Sequence, residues 1–149
     1  MKHILLSTVL LSAIACGGDC PSNDVAGNYD SMDLTGCNLA GENLQSSNLS
    51  NADLSGVDLS GANLSSVNFA NANLAGADLN RADIASSNFS NADLTNANFT
   101  NADILSANFS NAKLEGADFT NADIASSNCT GATGADFSMA TIASSTNCN

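Results

Sequence analysis

Residues 82–91, ADIASSNFSN, return twenty positions later as ADILSANFSN (102–111) and again as ADIASSN (122–128). Inside that unit runs a shorter beat, an apolar residue at every fifth position. It extends outward in both directions: Leu34, Leu39, Leu44, Leu49, Leu54, Leu59, Leu64, Phe69, Leu74, Leu79, Ile84, Phe89, Leu94, Phe99, Ile104, Phe109, Leu114, Phe119, Ile124 and Cys129. Alanine stands two residues before most of these centres, as at Ala52, Ala82 and Ala122. A five-residue period fits neither a helix, which repeats every 3.6 residues, nor a strand, which repeats every two. Self-similarity at a fixed period marks a solenoid, whose units bury their apolar faces only by stacking on one another. Four pentapeptides make one coil.

The unit Ala-Asn/Asp-Leu/Phe-x-x, held over about one hundred contiguous residues, resembles the pentapeptide repeat family. The resemblance implies an all-β fold, a right-handed quadrilateral β-helix of about five twenty-residue coils with short caps. It also implies that each centre and the alanine two before it point inward, while the other three positions face solvent. Sorted by twenties, the centres form four columns. The first holds Leu34, Leu54, Leu74, Leu94 and Leu114; the second Leu39, Leu59, Leu79, Phe99 and Phe119. The third holds Leu44, Leu64, Ile84, Ile104 and Ile124; the fourth Leu49, Phe69, Phe89, Phe109 and Cys129. Rings stacked one strand apart, roughly 4.8 Å, overlap in an offset manner.

The chain divides into four segments. Residues 1–15, MKHILLSTVLLSAIA, read as a bacterial export signal: a basic start at Lys2, an apolar run too short to span a bilayer, and a small-residue ending. A cytoplasmic leader is the alternative. Residues 16–31 are expected to form a lipid-attachment tether and N-terminal cap, since they lack the five-residue pattern. Residues 32–131 form the repeat, its first coil degenerate because Met32, Cys37, Glu42 and Ser47 replace alanine. Residues 132–149 form a C-terminal cap with two further units, the beat being broken by three extra residues before Phe137.

Ala13-Ile14-Ala15-Cys16 resembles the lipobox of bacterial lipoproteins, whose cysteine is acylated; the same residues also suit ordinary cleavage that leaves Cys16 as an N-terminal thiol. Five cysteines in an exported protein leave one odd. With Cys16 carrying lipid, Cys20, Cys37, Cys129 and Cys148 remain, and three pairings are open to them. A rod of the implied fold keeps its ends apart, which favours Cys20–Cys37 and Cys129–Cys148, each tying a cap over an open end. The alternative is that Cys37 and Cys129 are small buried apolar groups.

Catalytic chemistry finds no support. The only histidine, His3, lies in the leader, so the mature chain has no His base, triad or metal ligand. Glycines such as Gly36, Gly56, Gly76 and Gly116 recur at one repeat position, a turn role. Asn48, Asn68, Asn88, Asn108 and Asn128, with Asn51, Asn71, Asn91 and Asn111, read as hydrogen-bonded amide ladders. Ser46, Ser66, Ser86, Ser106 and Ser126 read as turn residues. Without its leader the chain keeps fifteen acidic residues against Arg81 and Lys113, a net charge of −13. Asp83, Asp103 and Asp123 stack as a surface-binding candidate, with Asp58, Asp78 and Asp118 on the neighbouring face. Stacked carboxylates invite a cation, although solvated acid imposed by the repeat is the stronger reading.

These features predict a non-enzymatic exported lipoprotein, a monomeric acidic rod on the bacterial envelope. It needs no cofactor and binds no nucleic acid; its contacts are the membrane, through lipid on Cys16, and a protein or matrix partner the sequence does not name. The alternative implied by the resemblance is a DNA mimic that binds gyrase, which export argues against. Ice binding lacks the paired Thr columns it needs.

Overall fold

The computed structural model describes residues 20–21, 25–142 and 146–148. The chain winds as a four-sided β-solenoid in which each pentapeptide contributes one bridge residue, paired in parallel with the residue twenty positions on, from Asn28↔Asn48 to Lys113↔Thr133.

The repeat consensus follows from an accounting of backbone N–H groups, all of which need partners when buried. In residues 82–86, Ala82 N–H closes the preceding corner on Leu79 O (3.0 Å). Asp83 N–H donates to Ala62 O in the coil before (3.0 Å), whereas Ile84 N–H (2.9 Å) and Ser86 N–H (2.8 Å) donate to Asp103 O and Leu105 O in the coil after. That leaves the N–H of Ala85, which donates to Asp83 Oδ1 (3.1 Å). Asn or Asp before each centre is therefore a local cap, the Asx turn. The fifth position takes a left-handed φ, +60° at Ser86 and +58° at Asn91. Such a φ suits Gly and Asn at a corner closed from the fourth residue to the first.

The serine column expected at turns is found there, with Ser46, Ser66, Ser86, Ser106 and Ser126 all at φ between +60° and +62°. Asn51, Asn71, Asn91 and Asn111 lie at the same kind of corner, with φ between +57° and +60°. No described hydrogen bond joins these four side chains to one another, so their column is a turn column and not an amide ladder.

All the Leu, Ile and Phe centres from Leu34 to Ile124 are buried, with the inward alanines around them. Phe69, Phe89 and Phe109 stack with centroids 4.8 and 5.0 Å apart, and Phe99 and Phe119 stack at 4.8 Å. The two stacks belong to opposite faces and also meet edge to face, Phe99 to Phe109 at 5.9 Å and 87°. The interior is thus one aromatic ring deep from either side, the geometry the ring quadrupole prefers. Serine replaces inward alanine at Ser47, Ser87 and Ser127, all buried. Ser87 Oγ donates to Leu64 O (2.6 Å) and accepts from Val67 N–H (3.2 Å), so the hydroxyl is satisfied by the neighbouring corner.

Two boundaries differ from the sequence reading. The ladder begins at Asn28 and not at Met32: Gly27-Asn28-Tyr29-Asp30-Ser31 is an in-register unit, its Tyr29 packing on the core at the fourth-column position. At the other end the pairs are Asp118↔Asp136, Asp123↔Thr141 and Asn128↔Asn147, so the last coil is two residues short at its second and third sides. The break before Phe137 is a shortened unit in which Gly134 takes the centre position, where three extra residues were expected. Glu42, inward-facing in the sequence reading, is partly buried.

Candidate functional site

The fold offers four outward faces, and the residue before each centre sets most of their chemistry, Glu42 and Glu115 being among the exceptions. Faces one, two and three each carry four carboxylates. The first holds Asp33, Asp53, Asp93 and Glu115, the second Asp58, Asp78, Asp118 and Asp136, and the third Glu42, Asp83, Asp103 and Asp123. Among the described residues the two Lys and Arg side chains divide between the first face (Lys113) and the second (Arg81).

The acidic column singled out on the third face is a true stack, bridged Asp83↔Asp103 and Asp103↔Asp123. Each carboxylate accepts the backbone N–H two residues on, at 3.1 to 3.2 Å, leaving its second oxygen to solvent. Among the described residues no three His, Cys, Asp or Glu side chains converge as a metal site would require. On the other two faces a hydroxyl tightens the cap. Hydrogen bonds from Thr35 to Asp33, Ser60 to Asp58 and Thr120 to Asp118 hold these carboxyls below the usual aspartate range. Asp93 is lowered first by Thr95 and then by Lys113, whose Nζ lies 3.0 Å from Asp93 Oδ2.

The fourth face differs from the rest. Its outward column is asparagine throughout: Asn28, Asn48, Asn68, Asn88, Asn108, Asn128 and Asn147. From Asn48 to Asn128 each Nδ2 donates to Oδ1 of the asparagine one coil earlier, at 3.0 to 3.1 Å. This is the amide ladder the sequence implied. Beyond Asp30, the five pentapeptides of this face (47–51, 67–71, 87–91, 107–111 and 127–131) contain no charged residue. That charge-free character went unread in the sequence, although sorting the acids by twenties reveals it.

The structure joins Cys20 to Cys37, with Cα atoms 5.7 Å apart, and Cys129 to Cys148, with Cα atoms 4.8 Å apart. The second distance is one strand spacing, since Cys148 follows Cys129 in the fourth column. The leader 1–15 and Cys16 lie outside the described residues.

Residues 33–65, 62–101 and 102–138 match the family profile "Pentapeptide repeats (8 copies)". Among solved structures, HetL is a pentapeptide repeat protein involved in heterocyst differentiation regulation from the cyanobacterium Nostoc sp. strain PCC 7120. It is 31% identical over 74% of this chain and 60% of its own, with a TM-score of 0.53. Alr5209, a pentapeptide repeat protein from Nostoc PCC 7120, is 31% identical over 68% of this chain and 84% of its own, with a TM-score of 0.62. The chain thus spans about 60% of HetL's length. No curated protein matches the sequence. The profile covers well over half of the residues and the fold repeats its unit coil by coil: the chain belongs to the pentapeptide repeat family.

Proposed function

We infer that this protein is a non-enzymatic exported lipoprotein, a rigid acidic rod of about five right-handed coils held on a bacterial envelope by lipid on Cys16. Its task is structural or protein-binding. The observation that carries the reading is the cysteine pairing. Cys20–Cys37 and Cys129–Cys148 use four of the five cysteines, and the one left over is Cys16, directly after a leader-like stretch. Two disulfides belong to an oxidising compartment. The rod acts as a monomer, and no cofactor enters its task.

Intact mass of the protein purified from membranes of a bacterial host, before and after reduction, tests this. Residues 16–149 plus acyl groups, gaining four hydrogens on reduction, is the expected result. A soluble, fully reduced chain that retains residues 1–15 overturns export. It favours the second reading, a gyrase-binding DNA mimic, which rests on the twelve carboxylates spread over three faces.

A further inference from the structure

We propose that the Cys20–Cys37 disulfide fixes which end of the rod faces the membrane, a polarity that rests on lipid at Cys16: it holds the N-terminal end near the lipid and bars the C-terminal end from it. Cys37 stands at an inward position of the first coil, partly buried, and Val57, the next residue of its column, is buried beneath it. Cys20 therefore reaches Cys37 through the N-terminal opening, where Pro21 is buried and Val25 stands 51% exposed. The chain that leads to the anchor leaves from one end of the rod and from none of its four faces.

Lengths decide the rest. Cys16 lies four residues before Cys20, and four residues span at most roughly 14 Å. The fourth column steps from Asn28 to Asn147 in six parallel bridges, a rod of roughly 29 Å. To lay the C-terminal end on the lipid, the chain from the anchor would have to run the length of the rod, about twice what it can span. Without the disulfide, the first described N–H bonded to a coil is that of Ala26, which donates to Gln45 O (2.8 Å). From Cys16 to Ala26 the chain reaches roughly 36 Å, and the rod can then invert. Inversion has a driving force, because Met139 and Ile142, 64% and 44% exposed, give the C-terminal end apolar surface that a bilayer would bury. The disulfide keeps that end pointing away from the lipid.

The chain has no tryptophan, so Val25→Trp and Met139→Trp each place a single fluorophore at one end. Residues 16–149, which contain the whole described fold, are coupled through Cys16 to a maleimide lipid in phosphatidylcholine vesicles that carry dansyl headgroups. Energy transfer to the dansyl groups is read, with circular dichroism as the check that every variant folds. Transfer from Met139→Trp should be at least about threefold weaker than from Val25→Trp, since the rod's length separates them. Two changes should raise it towards the Val25→Trp value: Cys20→Ser/Cys37→Ser, and about ten Gly-Ser residues inserted between Gly18 and Asp19 with both disulfides intact. Equal transfer from the two ends of the otherwise unaltered chain overturns the proposal, as does no rise with either change. A rise with the insertion alone also overturns it, because packing of the cap would then hold the end without the disulfide. The anchor is set chemically, so failure here faults the polarity, whereas a failure of acylation in the cell shows in the intact mass.

Discussion

The two ends of the rod close by different means. At the N-terminal end the repeat keeps full register to Asn28, and non-repeat chain then folds over it. Pro21 is buried, and Tyr29, Met32 and Cys37 pack on the core, so Leu34 and Leu39 are at most 1% exposed. At the C-terminal end the repeat closes itself by shortening. Its last coil drops two residues, Phe137 is only partly buried, and Met139 and Ile142 stand 64% and 44% exposed. The caps differ in the same sense. Every unit from Asn28 to Asn108 has an Asn or Asp to hold its fourth N–H, whereas Lys113 and Thr133 cannot supply that acceptor in the same geometry. A solenoid tolerates a loosened last coil because each coil contacts only its neighbours.

The sharpest way to break this comparison is truncation of phenylalanine on either side of it. Phe109 stacks on Phe89 and meets Phe99 and Phe119 edge-on, so Phe109→Ala should cost about 3–5 kcal/mol in urea unfolding. Phe137 packs on the core from its edge, its one described ring contact being Phe119 at a tilted 53°, and Phe137→Ala should cost about 1–2 kcal/mol because part of its surface already meets water. Equal losses would mean that the C-terminal end is as tightly sealed as the interior.

The disulfides come next. Their sequence separations, 17 and 19 residues, are nearly equal, so loop closure predicts a similar loss of about 3 kcal/mol for Cys20→Ser/Cys37→Ser and for Cys129→Ser/Cys148→Ser. A clearly larger loss for the second pair, measured on the same denaturant scale, would show that the shortened coil depends on its clamp beyond the entropy of the loop.

Glycine separates the ends on a smaller scale. Gly36 (φ +80°) has open space where a Cβ would go, so Gly36→Ala carries only the left-handed backbone strain, about 1 kcal/mol. Gly134 (φ +74°) would place its Cβ against Glu115, including 2.8 Å from the Glu115 Cα, and Gly134→Ala should cost about 2–3 kcal/mol. If the two substitutions shift the melting temperature equally, the close approach at the short coil is relieved by local movement.

Most of the interior was legible because the period of five sorts the centres into columns and the family resemblance implies which positions face inward; the four columns and the fourth-face amide ladder follow from the two together. What escaped has identifiable causes. Gly27-Asn28-Tyr29-Asp30-Ser31 hides its register because glycine and tyrosine stand where alanine and leucine mark the beat. Ser87 and Ser127 look like surface residues until their hydroxyls are seen to serve a buried corner. The C-terminal slip hides because counting from Cys129 to Phe137 does not say whether the chain bulges or tightens; Gly134 resolves it by occupying a centre without a side chain. The contrast between one neutral face and three acidic ones is a property of the wound chain, and the linear one shows it only when its acids are sorted by twenties.

Lys113 gives the smallest and most informative test of how the two halves differ. It is the first residue from the N-terminus to depart from Asn or Asp at the capping position, so it cannot accept the N–H of Glu115 and breaks the column between Asp93 and Thr133. In exchange it pairs with Asp93 at 3.0 Å, but its side chain is 64% exposed and such a pair contributes little. Lys113→Asn should restore both the Asx cap and a side-chain bond to Asp93, as Asn73 makes to Asp53 at 3.0 Å, raising stability by about 1 kcal/mol in urea unfolding. The added negative charge of the rod works against this gain, so the increase should grow as salt screens the carboxylates. A decrease at every salt concentration would mean that the ion pair outweighs the cap and that the C-terminal coils are held by charge where the N-terminal ones are held by amides.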